Sequence, residues 1–468
     1  MTSPATSPDP LETQHLSQLH ALAGERGVSG YRLMRREALI AALQSSEADE
    51  ADAPKRRSRG RRGGRGRSGR VTAAVRELLG DVGESDQDLA PEGGDPERAG
   101  AGPTAGAPER GDEAPAGATA EPEPEDVGEP TVGVIDITPR RHGFLRGPDL
   151  VRSEGDVYVS PAQIRRCELR IGDLVSGPAR QPRRDERHPA LIHVDSVEGG
   201  EPEAARPDFD ALTPTAPSRR IELGSGSPMT RAVDLLGPLA FGQRVLVMAD
   251  PRSGATTLIE GLTEALAGRE GVEIWVLLLD ERPEEATRWR DGHPGVAILA
   301  VTADREPTEQ LRTTRLVLER ARRRVEVGAD VILIVDSLNR LAVAEGEPTL
   351  AKRVFSSGRE SAEVGAGSLT VIAVAQPGGP GGATEAVQST ENLSLRLDAD
   401  LAAAGIIPSL VPRECRAVGE DALRDPAELA AVRAVREQLV GLSAVEASKQ
   451  IAELLGSSAD NPALLGLS

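Results

Sequence analysis

Residues 244–257 read RVLVMADPRSGATT, and this stretch decides the fold of the second half of the chain. The apolar run Val245–Met248 predicts a buried strand, and a helix is expected over Thr257–Ala267. A glycine-containing loop between a strand and a helix is typical of a phosphate-binding P-loop, because the backbone N–H groups and the helix dipole there favour an anion. The stretch therefore predicts an α/β domain that binds a nucleotide.

The loop departs from the usual P-loop pattern at two positions. Ala255 stands where a lysine normally precedes the hydroxyl residue, and Ala249 stands at the first glycine. The Thr256 hydroxyl is the candidate Mg²⁺ ligand. Taken alone, the loop also fits an ordinary strand-to-helix turn. The residues expected to bind the nucleotide are Pro251, Arg252, Ser253, Gly254, Ala255, Thr256 and Thr257.

Apolar strands alternate with amphipathic helices from residue 231 to about residue 418. The longest expected helix spans Glu306–Glu326. Continuous apolar strands separated by helices indicate a parallel sheet that is covered on both faces. The predicted strands are Arg244–Ala249, Glu273–Leu279, Val296–Val301, Val331–Asp336 and Leu369–Ala375.

Acidic residues follow two of these strands. Asp336 ends the run that begins at Val331, which is the Walker B arrangement that delivers a carboxylate to Mg²⁺. Asp280–Glu285 contributes four acids and an arginine at the end of another strand. Strand carboxyl ends face the ligand crevice of an α/β sheet, where an acid can activate water. Each cluster also fits a solvated strand end.

Residues 131–197 predict a small β-barrel. Short alternating runs separated by turn residues, over about 65 residues, suit five strands. The expected strands are Val132–Ile137, Val157–Val159, Leu174–Ser176 and Ala190–Val194.

The composition of the remainder is uneven. The chain has 468 residues, 38% of them apolar, and a formal charge of −19, which excludes a single compact globule. Lys55–Arg70 carries nine basic residues, and fifteen acids against two arginines lie between Asp81 and Glu129. We expect this region to be disordered and its basic block to grip nucleic-acid phosphates. The alternative is a solvated linker.

Targeting and redox signals favour a cytoplasmic protein with no membrane contact. The apolar runs fall far short of the ~20 residues that cross a bilayer. The N-terminus has no basic-then-apolar signal pattern. The two cysteines, Cys167 and Cys415, lie far apart in the sequence and indicate no disulfide framework.

These patterns divide the chain into six segments. They are an N-terminal helical module (1–48), an Arg/Gly-rich then acidic linker (49–130), a small β-barrel (131–197), a connector (198–230), an α/β P-loop domain (231–420) and C-terminal helices (421–468).

Several strings resemble the bacterial transcription termination factor Rho family. They occur in the same order as in that family, from about residue 11 to the C-terminus, with the linker excluded. The strings are YVSPAQIRR at 158–166, ALTP at 211–214, TRAVDLL at 230–236, DERPEEAT at 280–287 and DSLNRLA at 336–342.

The resemblance implies an RNA-dependent ATPase and helicase that forms a homohexameric ring. It also implies that the barrel (131–197) is an OB or cold-shock-like domain and that the P-loop domain (231–420) is a RecA-like ATPase domain. Members bind nascent single-stranded RNA on the barrel, use ATP with Mg²⁺, and act on the RNA polymerase complex. An aromatic side chain on a small barrel is a suitable platform for a base. By resemblance the RNA-binding residues are Phe144, His142, Arg146, Tyr158, Arg165 and Arg166.

The resemblance also assigns roles at the nucleotide site. Glu281 would be the hydrolytic acid and Arg340 would line the pocket. Asp336 would be the Walker B acid and Thr256 the Mg²⁺ hydroxyl. Arg416, or alternatively Arg413, would be the finger that reaches the neighbouring subunit's nucleotide.

Three parts of the family's motor are altered. Ala255 and Arg252 replace two P-loop lysines, and Ile407 stands where an aromatic side chain stacks on adenine. Val343–Lys352 is shorter than the family's first RNA-contacting loop, and Gln376–Ser389 lacks the lysine of the second.

Three interpretations follow. The first is a divergent Rho factor that still hydrolyses ATP, which the retained acids favour. The second is a Rho-like RNA-binding protein with a weak or inactive motor, acting as a regulator or a ring subunit, which Ala255 favours. The third is another P-loop enzyme such as a rotary ATPase subunit, against which the barrel strings and the Arg/Gly block argue.

Overall fold

The protein is described from a computed structural model, which covers Leu43 and residues 128–467, except for residues 185 and 224–225. The helical module predicted for 1–48 and the linker predicted for 49–130 lie outside the described residues, apart from Leu43 and 128–130. Among the described residues, no helix is long and apolar enough to span a membrane.

Five strands of the first domain close into a barrel. They are paired in the order β1-β2-β3-β5-β4, and β4 pairs back to β1, while β6 is added beside β4. Ile135, Val159 and Val175 are fully buried inside. The elements are β1 (Glu129–Ile137), β2 (Gly143–Arg146), β3 (Val157–Val159), α1 (Pro161–Arg166), β4 (Leu174–Arg180), β5 (Ala190–Leu191) and β6 (Ser196–Val197).

The strand predicted over 190–194 is shorter than expected. Its pairing ends at Leu191 because the Gln163 side chain donates to the carbonyls of Leu191 and Ile192, at 3.0 and 3.1 Å. Gln163 is held by a capping box with Ser160, which also starts helix α1. One local motif therefore fixes both a helix and the end of a strand.

The second domain is an α/β fold. Its strands are β7 (Pro214–Thr215), β8 (Arg220–Ile221), β9 (Leu239–Ala240), β10 (Arg244–Ala249), β11 (Val272–Glu281), β12 (Ala297–Thr302), β13 (Asp330–Asp336), β14 (Arg359–Ser361), β15 (Ser368–Ala375), β16 (Leu393–Leu397) and β17 (Arg416–Ala417). Its α-helices are α2 (Pro228–Leu236), α3 (Ala255–Leu266), α4 (Pro283–Gly292), α5 (Pro307–Glu326), α6 (Leu338–Glu345), α7 (Thr349–Ser356), α8 (Ala383–Val387), α9 (Ala399–Ala403), α10 (Pro426–Glu437), α11 (Ala444–Gly456) and α12 (Asn461–Leu465). Short 3₁₀ turns cover Phe209–Ala211, Pro380–Gly382, Pro412–Glu414 and Glu420–Ala422.

The predicted parallel sheet is confirmed. Its strands are paired in the order β12-β11-β13-β15-β10-β16, all parallel, and β17 closes one edge in the antiparallel sense. Val245 and Val247 pack into the core on one face, while Leu246 packs into the core on the other. Both faces are covered, which is why the strand sequences are continuously apolar.

Helix α5 holds the barrel against the α/β domain. Arg320 pairs with Glu198 and donates to the carbonyl of Gly172 at 3.1 Å. Glu326 pairs with Arg170 at 2.8 Å. Gly172 has φ +89°, and a Cβ added there would lie 2.5 Å from the backbone of Glu319. The close approach of the two domains therefore requires glycine at this position.

Replacing Gly172 with alanine should loosen this contact. The left-handed backbone alone costs about 1–2 kcal/mol for a side chain, and the overlap with helix α5 adds about 1–3 kcal/mol. Gly199→Ala is the matched control, because Gly199 has φ +76° and open space around it. In thermal unfolding, Gly172→Ala should have a Tm several degrees below that of the control, at about 2–4 °C per kcal/mol. Equal Tm values would contradict the packing argument.

Candidate nucleotide-binding and RNA-binding sites

A cavity of about 890 Å³ lies at the carboxyl edge of the parallel sheet. It is lined by the P-loop and by the ends of β11 and β13. The predicted residues that line it are Pro251, Arg252, Gly254, Ala255, Thr256, Glu281, Asp336 and Arg340. The predicted residues absent from its lining are Ser253, Thr257, Ile407, Arg413 and Arg416.

The P-loop presents the start of helix α3 to the cavity. The helix begins at Ala255, two residues before the predicted start, because Gly254 adopts a left-handed φ of +92° and ends the loop there. Gly254 offers no side-chain cap, and the first turn carries no acid. The first backbone N–H groups of a helix have no partner within it, so this helix start can bind an anion such as a phosphate.

Ser253 faces inward rather than toward the cavity. It is fully buried, and its carbonyl accepts a hydrogen bond from the Ser409 hydroxyl at 2.6 Å. Ser253 therefore ties the P-loop to the segment that follows helix α9. Ile407 lies two residues before Ser409, but its side chain is 59% exposed and does not line the cavity.

Glu281 enters the cavity because strand β11 is irregular at its end. The pairing register shifts between Leu279 and Glu281, and Asp280 has a positive φ of +53°. Arg340 donates to the Glu281 carboxylate at 2.6 Å and to the Leu279 carbonyl at 2.9 Å. The candidate hydrolytic acid is thus held by an arginine from helix α6.

Asp336 is a half-buried carboxyl at the end of β13. Burial raises its pKa to about 6, Arg340 opposes that rise, and the nearby Glu281 carboxylate adds to it. Asp336 and the Thr256 hydroxyl line the same cavity, and such oxygen atoms are the ligands that Mg²⁺ prefers. Asp336 and Thr256 can therefore supply ligands for the Mg²⁺ ion that accompanies a nucleotide in a P-loop domain.

Acidic side chains outnumber basic side chains in the lining of the cavity. Its lining contains four carboxylates, at Asp250, Asp280, Glu281 and Asp336, against the arginines at 252 and 340. Asp250 is paired with Arg396 at 2.6 Å. Since Ala255 brings no charge, the start of helix α3 provides dipoles but no cation at the position of the usual lysine.

Arg416 and Arg413 lie outside the cavity of their own chain. Arg416 is exposed on β17, the antiparallel strand at the edge of the sheet. Arg413 is 66% exposed and lies 3.7 Å from Glu414. Neither side chain contacts the nucleotide cavity from within the same chain.

The second candidate site is a cluster of four rings on the barrel. Phe144 and Tyr158 are directly opposite each other on β2 and β3, with ring centroids 5.9 Å apart. His142 Nδ1 lies 3.0 Å from the Tyr158 hydroxyl. His188 packs against Phe144 at 5.3 Å. The sequence analysis missed His188, which reaches the cluster because β5 pairs in parallel with β3.

Arg146 differs from its predicted role as an RNA ligand. Its side chain is 4% exposed, pairs with Asp136 at 2.5 Å and also pairs with Asp156. Its guanidinium lies 5.3 Å from the centre of the Phe144 ring. Its single positive charge is shared between two carboxylates, so Arg146 packs beside the ring cluster and is not exposed at the barrel surface.

Arg165 and Arg166 are exposed in the last turn of helix α1. Unlike Arg146, they are available to a phosphate at the surface of the barrel. The two sites together define the class of protein: an oligonucleotide-binding barrel joined to a P-loop nucleotide-binding domain.

Comparisons with protein families agree with this division. The family model described as "Rho termination factor, RNA-binding domain" matches residues 131–203, and "Rho termination factor, N-terminal domain" matches residues 10–51. The nucleotide-binding domain of the ATP synthase alpha/beta family matches residues 230–361. A solved ATPase from a bacterial type III secretion system is 17% identical, with a TM-score of 0.44 over 55% of this chain and 86% of that chain.

Curated relatives cover most of the chain. The transcription termination factor Rho of Streptobacillus moniliformis is 33% identical over 71% of this chain and 85% of that protein. The Bacillus subtilis factor is 37% identical over 59% of this chain and 71% of that protein. The Mycobacterium tuberculosis factor is 33% identical over 74% of this chain, which spans 62% of that relative. The chain belongs to the transcription termination factor Rho family.

The ionised carboxyl of Asp336 should destabilise the fold at neutral pH, because the pKa of this group is raised. Its folded pKa of about 6 exceeds the ordinary value of 3.8, so the folded state binds the proton more tightly. Stability is therefore lost as the pH rises from about 4 to about 6. Asp336→Asn should raise the free energy of unfolding by on the order of 2 kcal/mol at pH 8 and by little at pH 4.

Urea unfolding at the two pH values measures this difference. The exposed Asp421→Asn is the control and should change stability at neither pH. A gain for Asp336→Asn that is equal at both pH values would show that the carboxyl is not the cause.

Proposed function

We propose that this chain acts as a Rho-type transcription termination factor, binding nascent single-stranded RNA on its barrel and ATP at the edge of its parallel sheet. The observation that carries the proposal is the combination, in one chain, of the Phe144–Tyr158 ring platform with a P-loop cavity that gathers Glu281 and Asp336. Its relatives in three bacteria carry the name transcription termination factor Rho.

The roles of the cavity residues follow from their positions. Glu281 is the base toward a water in the cavity, and Arg340 positions its carboxylate through the 2.6 Å ion pair. Thr256 and Asp336 would hold Mg²⁺. The ion, when bound with ATP, offsets the negative charge of the phosphates. The open amides at the start of helix α3 bind the phosphate chain.

We further propose a homohexameric ring in the cytoplasm that acts on the RNA polymerase complex. In a ring, Arg416 or Arg413 could act on a neighbouring subunit, since each is exposed and absent from the lining of its own chain's cavity. From that position an arginine can complete the phosphate site of a neighbouring subunit.

Ala255 supports a second function, that of an RNA-binding ring subunit with a weak motor. A charge-assisted hydrogen bond is worth about 1.5–3 kcal/mol, so the missing lysine weakens phosphate binding by about ten- to a hundred-fold. Arg252 is exposed on the loop and has a forked head group that does not reproduce a lysine's point charge. We therefore expect slow ATP hydrolysis with little stimulation by RNA.

The RNA platform is tested by Phe144→Ala. Stacking on an aromatic ring is worth about 1–3 kcal/mol per base, so the Kd for a pyrimidine oligonucleotide should rise about ten-fold or more. Fluorescence anisotropy with the full chain measures this. Val132→Ala is the control, because Val132 is an exposed apolar residue of the same barrel outside the ring cluster. An unchanged Kd for Phe144→Ala would contradict the assignment of this face to RNA.

The nucleotide site is tested by restoring the lysine. Ala255→Lys should tighten Mg²⁺-ATP binding by about ten- to a hundred-fold and raise turnover, because one cation serves the bound state and the transition state. Ala267→Lys makes the same substitution at the exposed C-terminal end of helix α3, outside the cavity lining, and should have little effect.

Titration calorimetry and phosphate release measure the two quantities. In the Ala255→Lys background, Glu281→Gln should abolish turnover and spare binding. Equal effects of the two lysine variants would show that the change in ATP binding does not depend on a cation at position 255. Wild-type turnover within the range of about 1–10³ s⁻¹ typical of enzymes would refute the weak motor.

A further inference from the structure

We propose that His142 and His188 make RNA binding by the barrel dependent on pH, because each ring adds a positive charge to the platform when it is protonated. The inference rests on the proposed RNA-binding function of the barrel. It adds a mode of regulation to that site and a class of contact, imidazolium to phosphate, beside base stacking.

Two of the four rings in the cluster are imidazoles, the side-chain group that ordinarily changes charge between about pH 5 and about pH 8. The His142 ring lies 5.8 Å from Tyr158, and the His188 ring lies 5.3 Å from Phe144. Phe144 has no proton to lose, and burial raises the pKa of Tyr158, so that ring stays neutral in this range. The charge of the platform is therefore set by its histidines.

The hydrogen bond between His142 and Tyr158 can form in both the neutral and the protonated form of the imidazole. Its Nδ1 lies 3.0 Å from the Tyr158 hydroxyl. That hydroxyl donates to the nitrogen of a neutral imidazole and accepts from the N–H of an imidazolium. Protonation of His142 therefore costs no hydrogen bond within the barrel. For His188, the buried Nδ1 has no hydrogen-bond partner among the described residues.

The acids near the cluster are already paired with arginines. Asp136 on β1 and Asp156 just before β3 both bind Arg146. Glu186, which faces Tyr158 from the loop before β5, binds Arg180 at 2.5 Å, and this contact lowers its pKa to about 2.

The remaining charged neighbours are cationic: Arg141 precedes His142, Arg187 precedes His188, and Arg165 and Arg166 lie exposed on helix α1. The described acids shown next to the cluster, Asp136, Asp156 and Glu186, are engaged with arginines and do not neutralise a new imidazolium charge. That charge is left for an RNA phosphate.

The third histidine of the barrel has a different environment. His193 Nε2 lies 2.9 Å from Asp195, and both side chains are 55% exposed. A charge on His193 is compensated by this carboxylate, so it adds little to the attraction for RNA. His193 is therefore a matched control for the two cluster histidines.

The inference predicts a change in the salt dependence of binding. Each phosphate neutralised on a single strand contributes about 0.7 to the slope of log K against log salt concentration. Two added imidazolium charges should steepen this slope by up to about 1.4 between about pH 8 and about pH 5.5, and tighten binding by about ten-fold at moderate salt.

The experiment uses the full chain and a rhodamine-labelled oligo(U), since uracil does not titrate in this range. Anisotropy titrations at several salt concentrations give the slope at each pH. The double variant His142→Phe with His188→Tyr keeps the aromatic rings and removes the charge. At any affinity it should show the same salt slope at both pH values, whereas His193→Gln should keep the pH dependence of the wild type.

The outcomes separate this inference from the proposed function. Wild-type binding with the same slope at both pH values would overturn the inference and leave RNA binding intact. Full pH dependence in the double variant would also overturn it, because the titrating group would lie elsewhere. Absence of oligo(U) binding at both pH values would overturn the RNA-binding function itself, and the inference with it.

Discussion

The burial of the parallel sheet on both faces determines where this protein can carry out chemistry. Val245 and Val247 pack on one side of strand β10 and Leu246 packs on the other, so side chains along the strand have no access to solvent. Only the strand ends are free to present polar groups. Asp336 follows directly from a buried strand, and Glu281 reaches the cavity through an irregularity at the end of its own. The geometry of the nucleotide site is therefore a consequence of hydrophobic packing beneath it.

Helix α5 lines the nucleotide cavity at one end and contacts the barrel at the other. Pro307 and Gln310, in its first turn, line the nucleotide cavity, whereas Arg320 and Glu326 hold the barrel. The helix has 20 residues and is therefore about 30 Å long. Arginines and carboxylates make the contacts at the barrel end, and Gly172 permits the close backbone approach. Helix α5 thus connects the barrel that carries the ring cluster with the edge of the nucleotide cavity.

Residue patterns predicted the features that depend on local sequence, and failed where distant residues meet. The five continuous apolar runs of the sheet were identified correctly because buried parallel strands need no polar alternation. Strand β16 was missed because its sequence, LSLRL, mixes polar and apolar residues over five positions. Arg146 was predicted to contact RNA, and its ion pairs could not be foreseen because Asp136 and Asp156 lie ten residues before and ten residues after it. His188 joins the ring cluster through a parallel strand pairing that no short motif reveals.

The absence of a lysine at position 255 affects more than the binding of phosphate. A lysine at this position would share the cavity with Asp336, and a nearby positive charge lowers the pKa of a carboxyl. With alanine there, burial acts on Asp336 with only Arg340 to oppose it, and Arg340 is engaged mainly with Glu281. The pKa of Asp336 is therefore raised, which opposes metal binding because a carboxyl must be deprotonated to bind a metal ion. One missing cation therefore weakens both the phosphate contact and the charge of the acid that faces it.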